Sequence, residues 1–287
     1  MRFENPFSVE DLDRARLIEA TPEMHADAWF VGVQAYAQFV EEFMKPALRG
    51  LIARSLREDA VLDLYYGIVG FLFSVNVLRD PWHVRAIATC ARSVFELYND
   101  LLLLTQGSQP AERFRGFVDV EKLRVAKARV AFYDGHPELS EGREPMDPLR
   151  DFVRDDGPRI EAEVERLWSG QWPWHWSGIH RARERAKAAG LDCEALFWRF
   201  YARLSWYVHT ASVGTLGLRK RDFHMVIAEA LELLRLTVPT AFGIVAREAK
   251  LEAVIENLET KLEFLRRVFF FRLTALKLGQ PERFTFL

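Results

Sequence analysis

The spacing of apolar residues constrains this chain most, because it repeats at helical intervals along almost the whole sequence. Apolar side chains recur every three or four residues, which places them on one face of a helix. No stretch alternates apolar and polar residues for long, and glycine is sparse, at 16 of 287 residues. The pattern therefore predicts an all-α protein. Helices are expected near residues 8–19, 24–54, 58–78, 81–106, 118–133, 146–168, 177–189, 192–213, 221–246 and 248–278.

Several predicted helix boundaries coincide with residues that start or stop helices. Pro81 suits the first position of a helix, and Gly190 suits the end of one, with Asp192 as the cap of the next. Pro239 lies inside an apolar run and is expected to kink or split its helix. Residues 135–147 are the best candidate for a linker. With no internal repeat, we expect a single helical domain over residues 1–287.

Composition excludes several classes of protein. The net charge of -2 argues against a general polycation for nucleic acid, and two cysteines exclude a disulfide framework or a cysteine-rich zinc site. The first residues lack the apolar core of a signal peptide, so we expect a cytoplasmic protein. The longest uncharged apolar run, residues 65–78, is short for a membrane span and predicts a core helix instead.

A stripe of polar side chains crosses an otherwise apolar helix predicted near residues 81–106. It holds Arg85, Arg92, Glu96, Asn99 and Asp100, and two of them, Arg92 and Glu96, stand four residues apart and can pair. Charged groups are costly to bury unless they are paired and hydrogen-bonded. The stripe is therefore either a solvated or structural ion-pair face, or one wall of a shared polar site.

A second stripe lies in the apolar run FWRFYARLSWYVHTAS, where Ser205, His209 and Ser212 share one helical face. Arg203 precedes His209 by six residues, and its long side chain could reach the same site. A lone histidine in an apolar helix is more often a core residue than a catalyst. Spacing alone decides nothing, since three Arg-to-His pairs of similar spacing occur, but only this pair lies in a core-like helix.

The segments ARSVFELYND and YARLSWYVHTAS together resemble an uncharacterised bacterial all-α family that carries an R-S-x-x-E helix and a later L-S-x-x-V-H helix. The matching residues here are Arg92, Ser93 and Glu96, then Leu204, Ser205, Val208 and His209. That family is similar to the HEPN superfamily of small helical bundles. The resemblance covers about residues 60–215. It implies a HEPN-like helical bundle with extra N- and C-terminal helices, the latter an extension over residues 220–287.

The HEPN resemblance implies a metal-independent endoribonuclease of a defence or toxin–antitoxin system, with no cofactor and no metal ion. In that chemistry His209 transfers protons, Arg203 stabilises the charge on phosphate, and Glu96 orients one or both. The expected substrate-binding residues are Arg92, Ser205 and Asn99. Residues 179–224 carry nine Arg or Lys and four Asp or Glu, a positive surface that suits phosphate.

The partners implied are RNA, a second copy of the chain, and an antitoxin or other defence-system protein, but no membrane. The homodimer is expected to use the aromatic helix over residues 261–279, because it would expose much apolar area if left uncovered. The tryptophan-rich residues 171–180 suit packing better than base stacking, and no nearby ligand pattern supports metal binding by His175 and His180. The alternative is a non-enzymatic helical interaction or ligand-sensing protein whose Arg/Glu/His cluster is structural.

Overall fold

In the computed structural model, residues 5–105, 111–136, 139, 147–208, 220–251, 254, 256 and 258–284 are described, and among them every regular element is helical. The prediction of an all-α fold is confirmed for these residues. The helices are α1 Val9–Arg16, α2 Pro22–Phe39, α3 Lys45–Leu48, α4 Leu56–Val77, α5 Val84–Thr105, α6 Ala111–Gly135, α7 Asp147–Asp155, α8 Gly157–Trp168, α9 Ala182–Ala189, α10 Leu191–Leu196, α11 Ala202–Val208, α12 Lys220–Glu248 and α13 Leu258–Lys277.

Short irregular helical turns join some of these helices. A π-helical turn, Val40–Met44, connects α2 to α3, and a second, Phe197–Tyr201, connects α10 to α11. A 3₁₀ turn, Pro81–His83, precedes α5. The second π turn matters for function, because it rotates the side chains that follow it relative to those of α10.

Side-chain caps begin three of the helices where the sequence has serine or threonine. Ser8, Thr21 and Ser55 each accept a hydrogen bond from the backbone N–H three residues later. Such a cap satisfies one of the backbone donors that a helix start leaves free, and contributes about 1 kcal/mol.

The main hydrophobic core lies where α4, α5 and α12 pack together, with α2 against α4 and α12. Phe242 of α12 stacks on Phe39 at 5.8 Å between ring centroids and meets Tyr65 edge-on at 6.1 Å. These three side chains are fully buried. Burying each such side chain contributes about 1.5–3 kcal/mol. The same core extends from Phe7 to Phe284, so the N- and C-terminal helices pack on it too.

Two glycines allow close approach between core helices. A Cβ atom on Gly67 of α4 would stand 3.0 Å from Leu97 Cδ1 of α5. A Cβ atom on Gly243 of α12 would stand 2.9 Å from Leu262 Cδ1 of α13. A larger residue at either position would require the facing leucine side chain to move.

A second, smaller apolar cluster joins α6 and α8, with α7 packed beside them. Its buried members are Val120, Leu123, Ile160, Val164, Leu167 and Trp168. The Trp168 indole donates to the backbone oxygen of Trp176 at 3.0 Å, which ties the tryptophan-rich segment to this cluster.

The aromatic helix α13 is covered largely by its own chain. Phe269 stacks on Trp29 of α2 at 3.9 Å between centroids, and Phe271 packs against Phe284. Both phenylalanines are buried, whereas Phe270 is half-exposed. A dimer interface was expected here because an uncovered α13 would expose apolar area. For Phe269 and Phe271 that reason does not hold, because the chain itself covers them. The homodimer itself stays a prediction.

Some predicted helix boundaries need correction. Pro239 does not split α12, which is continuous there, and its neighbours Val238 and Phe242 are fully buried in the core; a kink at Pro239 stays a prediction. The start of α10 lies at Leu191, after Gly190, so Asp192 is inside the helix and makes no cap hydrogen bond. Most of the predicted linker, residues 137–138 and 140–146, lies outside the described residues.

The helix α4 is long and apolar enough to span a membrane by length and composition alone. Its buried residues pack against α5, α2 and α12, and its first two turns carry charged side chains. These contacts are those of a core helix, as expected from the sequence.

Candidate functional site

The first polar stripe becomes a site where α5 meets the helix formed by α10, its π turn and α11. Arg92 and Glu96 of α5 lie one turn apart, with Arg92 Nη2 3.6 Å from Glu96 Oε1. Tyr201, in the π turn, donates its hydroxyl to Glu96 Oε1 at 2.6 Å and accepts from Arg92 Nη2 at 2.9 Å. The Arg92 guanidinium also lies 4.7 Å from the centre of the Tyr201 ring. The two helices are thus joined by three polar side chains.

Arg185 of α9 completes this cluster from a third helix. Its guanidinium donates to Glu96 Oε2 at 3.2 Å and to the backbone oxygens of His180 at 3.0 Å and Ile179 at 3.4 Å. Both oxygens of the Glu96 carboxylate are therefore engaged by donors. Two guanidiniums face one carboxylate, so the cluster carries a net positive charge.

The cluster, defined here as the Glu96 site (Arg92, Glu96, Arg185 and Tyr201), is partly exposed at Glu96 and nearly buried elsewhere. The Glu96 side chain is 37% exposed, whereas those of Arg92 and Arg185 are 14% and 8% exposed. Burial and the neighbouring Glu96 raise the pKa of the Tyr201 hydroxyl, so it remains a hydrogen-bond donor. The two guanidiniums are nearly buried and face Glu96, so its carboxylate is the anion that they bind in this structure.

A buried polar layer lies one turn further along α5. Asn99 is 2% exposed, and its Oδ1 atom has no hydrogen-bond partner among the described residues. His175 Nε2 lies 3.2 Å from Asp100 Oδ1, within ion-pair distance but without hydrogen-bond alignment. His175 Nδ1 is 2.9 Å from the hydroxyl of buried Ser177. This layer joins α5 to the tryptophan-rich segment, and its burial keeps Asn99 away from solvent.

The second motif helix presents its polar residues in different directions. Ser205 donates to the Tyr201 carbonyl at 2.8 Å, one turn back. Arg203 forms an ion pair with Glu229 of α12 at 2.8 Å and donates to the Arg199 carbonyl. Arg203 follows Tyr201 by two residues, about 200° around a helix, and faces a different neighbour from the Glu96 site. His209 lies outside the described residues.

The expected convergence of polar residues is thus found in part. The structure brings Arg92 together with Glu96, as the four-residue spacing predicts, but pairs Arg203 with Glu229. Tyr201 and Arg185 also belong to the cluster, although the sequence pattern does not predict either of them. Tyr201 has a signal, since it precedes Ser205 by four residues on the same face, whereas nothing in the local sequence distinguishes Arg185 from its exposed neighbours.

The described residues contain no group of three or more His, Cys, Asp or Glu side chains that could hold a metal ion. That the expected reaction uses neither a metal ion nor a cofactor stays a prediction. The two cysteines, Cys90 and Cys193, are free and buried, and burial raises the pKa of both thiols.

Comparison with known proteins places the chain in a family. A model described as a family of unknown function, DUF5677, matches residues 58–222, which is more than half of the chain, so the protein belongs to that family. The matched residues contain all of the Glu96 site and nearly coincide with the region of the expected resemblance. No curated protein and no solved structure matches the chain.

Proposed function

We propose that this DUF5677 protein is a HEPN-like, metal-independent endoribonuclease of a defence or toxin–antitoxin system, acting at the Glu96 site together with His209. The observation that carries the proposal is the meeting of the two motif helices, in which Tyr201 of one bonds both Arg92 and Glu96 of the other. The local charge of residues 179–224, nine basic against four acidic residues, adds support.

The proposed reaction uses the RNA 2′-hydroxyl as the nucleophile. His209, whose ordinary pKa lies near neutrality, accepts that proton or delivers one to the leaving 5′-oxygen. The phosphorus–oxygen bond to the 2′-oxygen forms as the bond to the 5′-oxygen breaks, which leaves a 2′,3′-cyclic phosphate. Arg92 stabilises the additional negative charge, and Glu96, held by Arg185 and Tyr201, orients that guanidinium.

The direction of Arg203 changes its expected role. Because Arg203 pairs with Glu229 rather than with Glu96, its charge is partly neutralised and the proposal gives the stabilisation of phosphate charge to Arg92 instead. Ser205, bonded to the Tyr201 carbonyl, contributes by fixing the turn that carries the tyrosine. The buried position of Asn99 suits support of α5 rather than substrate contact.

A second candidate function is a non-enzymatic interaction or ligand-sensing protein. It is favoured by one observation, that protein donors already engage both oxygens of Glu96, as they do in a structural network. The first candidate is favoured by the meeting of the two motif helices at Glu96, whose side chain is partly exposed.

Cleavage of labelled RNA, measured with and without EDTA, tests the proposal. We expect activity that EDTA leaves unchanged, products that end in 2′,3′-cyclic phosphate, and a loss of about 100-fold or more for His209→Ala. His136→Ala is the matched control, because His136 is exposed at the end of α6. Thermal unfolding of the same proteins separates loss of chemistry from loss of fold. An inactive wild type with a destabilised His209→Ala variant would contradict the proposal.

A further inference from the structure

One face of the helix that carries Tyr201 is exposed and rich in tryptophan and arginine. Trp198 and Trp206 are each 54% exposed, although tryptophan is among the side chains that gain most from burial. Arg199, Arg203 and Trp206 follow at steps of four and three residues, so they occupy successive turns of the same side. Tyr201, between the two tryptophans in sequence, points inward to Glu96.

Two arginines at this face, Arg183 of the neighbouring α9 and Arg199 of the helix itself, stack on aromatic rings and have no carboxylate partner among the described residues. The Arg183 guanidinium lies 4.9 Å from the centre of the Trp198 ring, and that of Arg199 lies 4.8 Å from the Phe200 ring. Stacking holds a guanidinium flat and leaves its N–H edge free to donate to a phosphate. These arginines are therefore positioned for an external anion, unlike Arg203, which Glu229 partly neutralises.

The charge of this face decides what covers it. A second copy related by two-fold symmetry would bring the arginines of one chain against those of the other, which is unfavourable. A membrane surface requires a continuous apolar face, and here arginines separate the tryptophans. Single-stranded RNA offers phosphates to the arginines and base faces to the tryptophans, and this combination is typical of proteins that bind single strands.

We infer that Trp198, Trp206, Arg183 and Arg199 form a binding platform for single-stranded RNA, a stacking surface that presents the strand to the neighbouring Glu96 site. This inference rests on the proposed function for its choice of ligand. The platform and the Glu96 site share one helix, whose outer side carries the exposed tryptophans and whose inner side carries Tyr201.

Binding of a 2′-O-methyl oligouridylate of about a dozen nucleotides tests the platform separately from cleavage, because this RNA has no free 2′-hydroxyl to attack. We expect the wild type to bind, and the Trp198→Ala/Trp206→Ala double variant to bind at least about tenfold more weakly. Arg183→Ala should lower the slope of log affinity against log salt by about one. Trp172→Ala is the matched control, because Trp172 is also exposed and the Lys127 ammonium lies 5.3 Å from the centre of its ring. The Trp172→Ala variant should bind the RNA as the wild type does.

The outcomes distinguish the platform from the proposed enzyme. Binding that depends on the two tryptophans, in a wild type that does not cleave RNA, supports the platform and removes the nuclease. Cleavage that both tryptophan substitutions leave unchanged, with unchanged binding, supports the nuclease and removes the platform. No binding by the wild type, or a wild-type dimer that light scattering shows to dissociate in the double variant, also overturns the platform.

Discussion

Replacement of Arg185 by methionine tests whether the Glu96 site holds three helices together. Arg185 is buried in α9, and methionine keeps much of the length and apolar volume of its stem. The substitution removes the donors to Glu96 Oε2 and to the backbone oxygens of His180 and Ile179. The two carbonyls then have no side-chain donor at this position.

The expected loss of stability follows from the burial of these groups. Removing one partner of a buried ion pair costs about 3–5 kcal/mol. The Glu96 side chain is 37% exposed and can regain water, so the part of this cost that comes from Glu96 is smaller. The Ile179 contact, at 3.4 Å, is long and contributes least. We therefore expect Arg185→Met to lower the free energy of unfolding by about 3 kcal/mol.

Equilibrium unfolding in urea measures this loss, with Arg183→Met as the control. Arg183 is the second residue of the same helix. Its side chain is exposed and has no ion-pair partner among the described residues. Its replacement should change the unfolding free energy by less than about 0.5 kcal/mol. A loss below about 1 kcal/mol for Arg185→Met would refute the reasoning, because the buried guanidinium would then hold nothing together.

Three further substitutions test other contacts. Tyr201→Phe removes the hydroxyl between Arg92 and Glu96, and should cost about 1–2 kcal/mol of stability in urea unfolding. Burial raises the pKa of Glu229 above its ordinary 4.5, despite the pair with Arg203. The protonated Glu229 side chain therefore stabilises the folded protein below pH 4.5, and this stabilisation is lost as the pH rises through the raised pKa. As the pH rises from 4.5 to 7, the wild type should lose this contribution and Glu229→Gln should not. The melting temperature of the variant should therefore rise relative to that of the wild type over this range. Burial raises the pKa of Cys193 to about 12, so a thiol reagent at pH 8 should label it only in the unfolded protein, and Cys193→Ser should leave the label of unfolded protein on Cys90 alone.

The sequence predicts the helical class and much of the pairing on α5, because both depend on local periodicity. Arg92 and Glu96 are four residues apart on one helix, so any regular helix brings them together. Most helix positions follow for the same reason. The two π turns, Val40–Met44 and Phe197–Tyr201, could not be predicted, because they have no residue signature and depend on tertiary packing.

The remaining misses concern contacts between helices. Arg203 was expected at the Glu96 site from its spacing to His209, but its direction is set by the packing of α11 between α5 and α12, where Glu229 is available. Arg185 was missed because its burial depends on how α9 packs on α5. The dimer interface expected on α13 stays a prediction, but the apolar area that motivated it is partly covered within the chain, where Trp29 of α2 packs on Phe269.

Glu96 is the residue on which the two candidate functions make opposite demands. Glu96→Gln keeps an oxygen that accepts from Tyr201 but removes the counter-charge of Arg185, which still has its two backbone acceptors. The loss of stability should be at least that of Arg185→Met, because Arg92 and Arg185 are both nearly buried and both lose their counter-charge. In a ribonuclease the same change should nearly abolish cleavage, since a neutral amide no longer holds Arg92 against a developing phosphorane. In a structural network there is no wild-type cleavage to lose. A stable Glu96→Gln variant that cleaves RNA at the wild-type rate would remove Glu96 from the mechanism and leave it only as a link between helices.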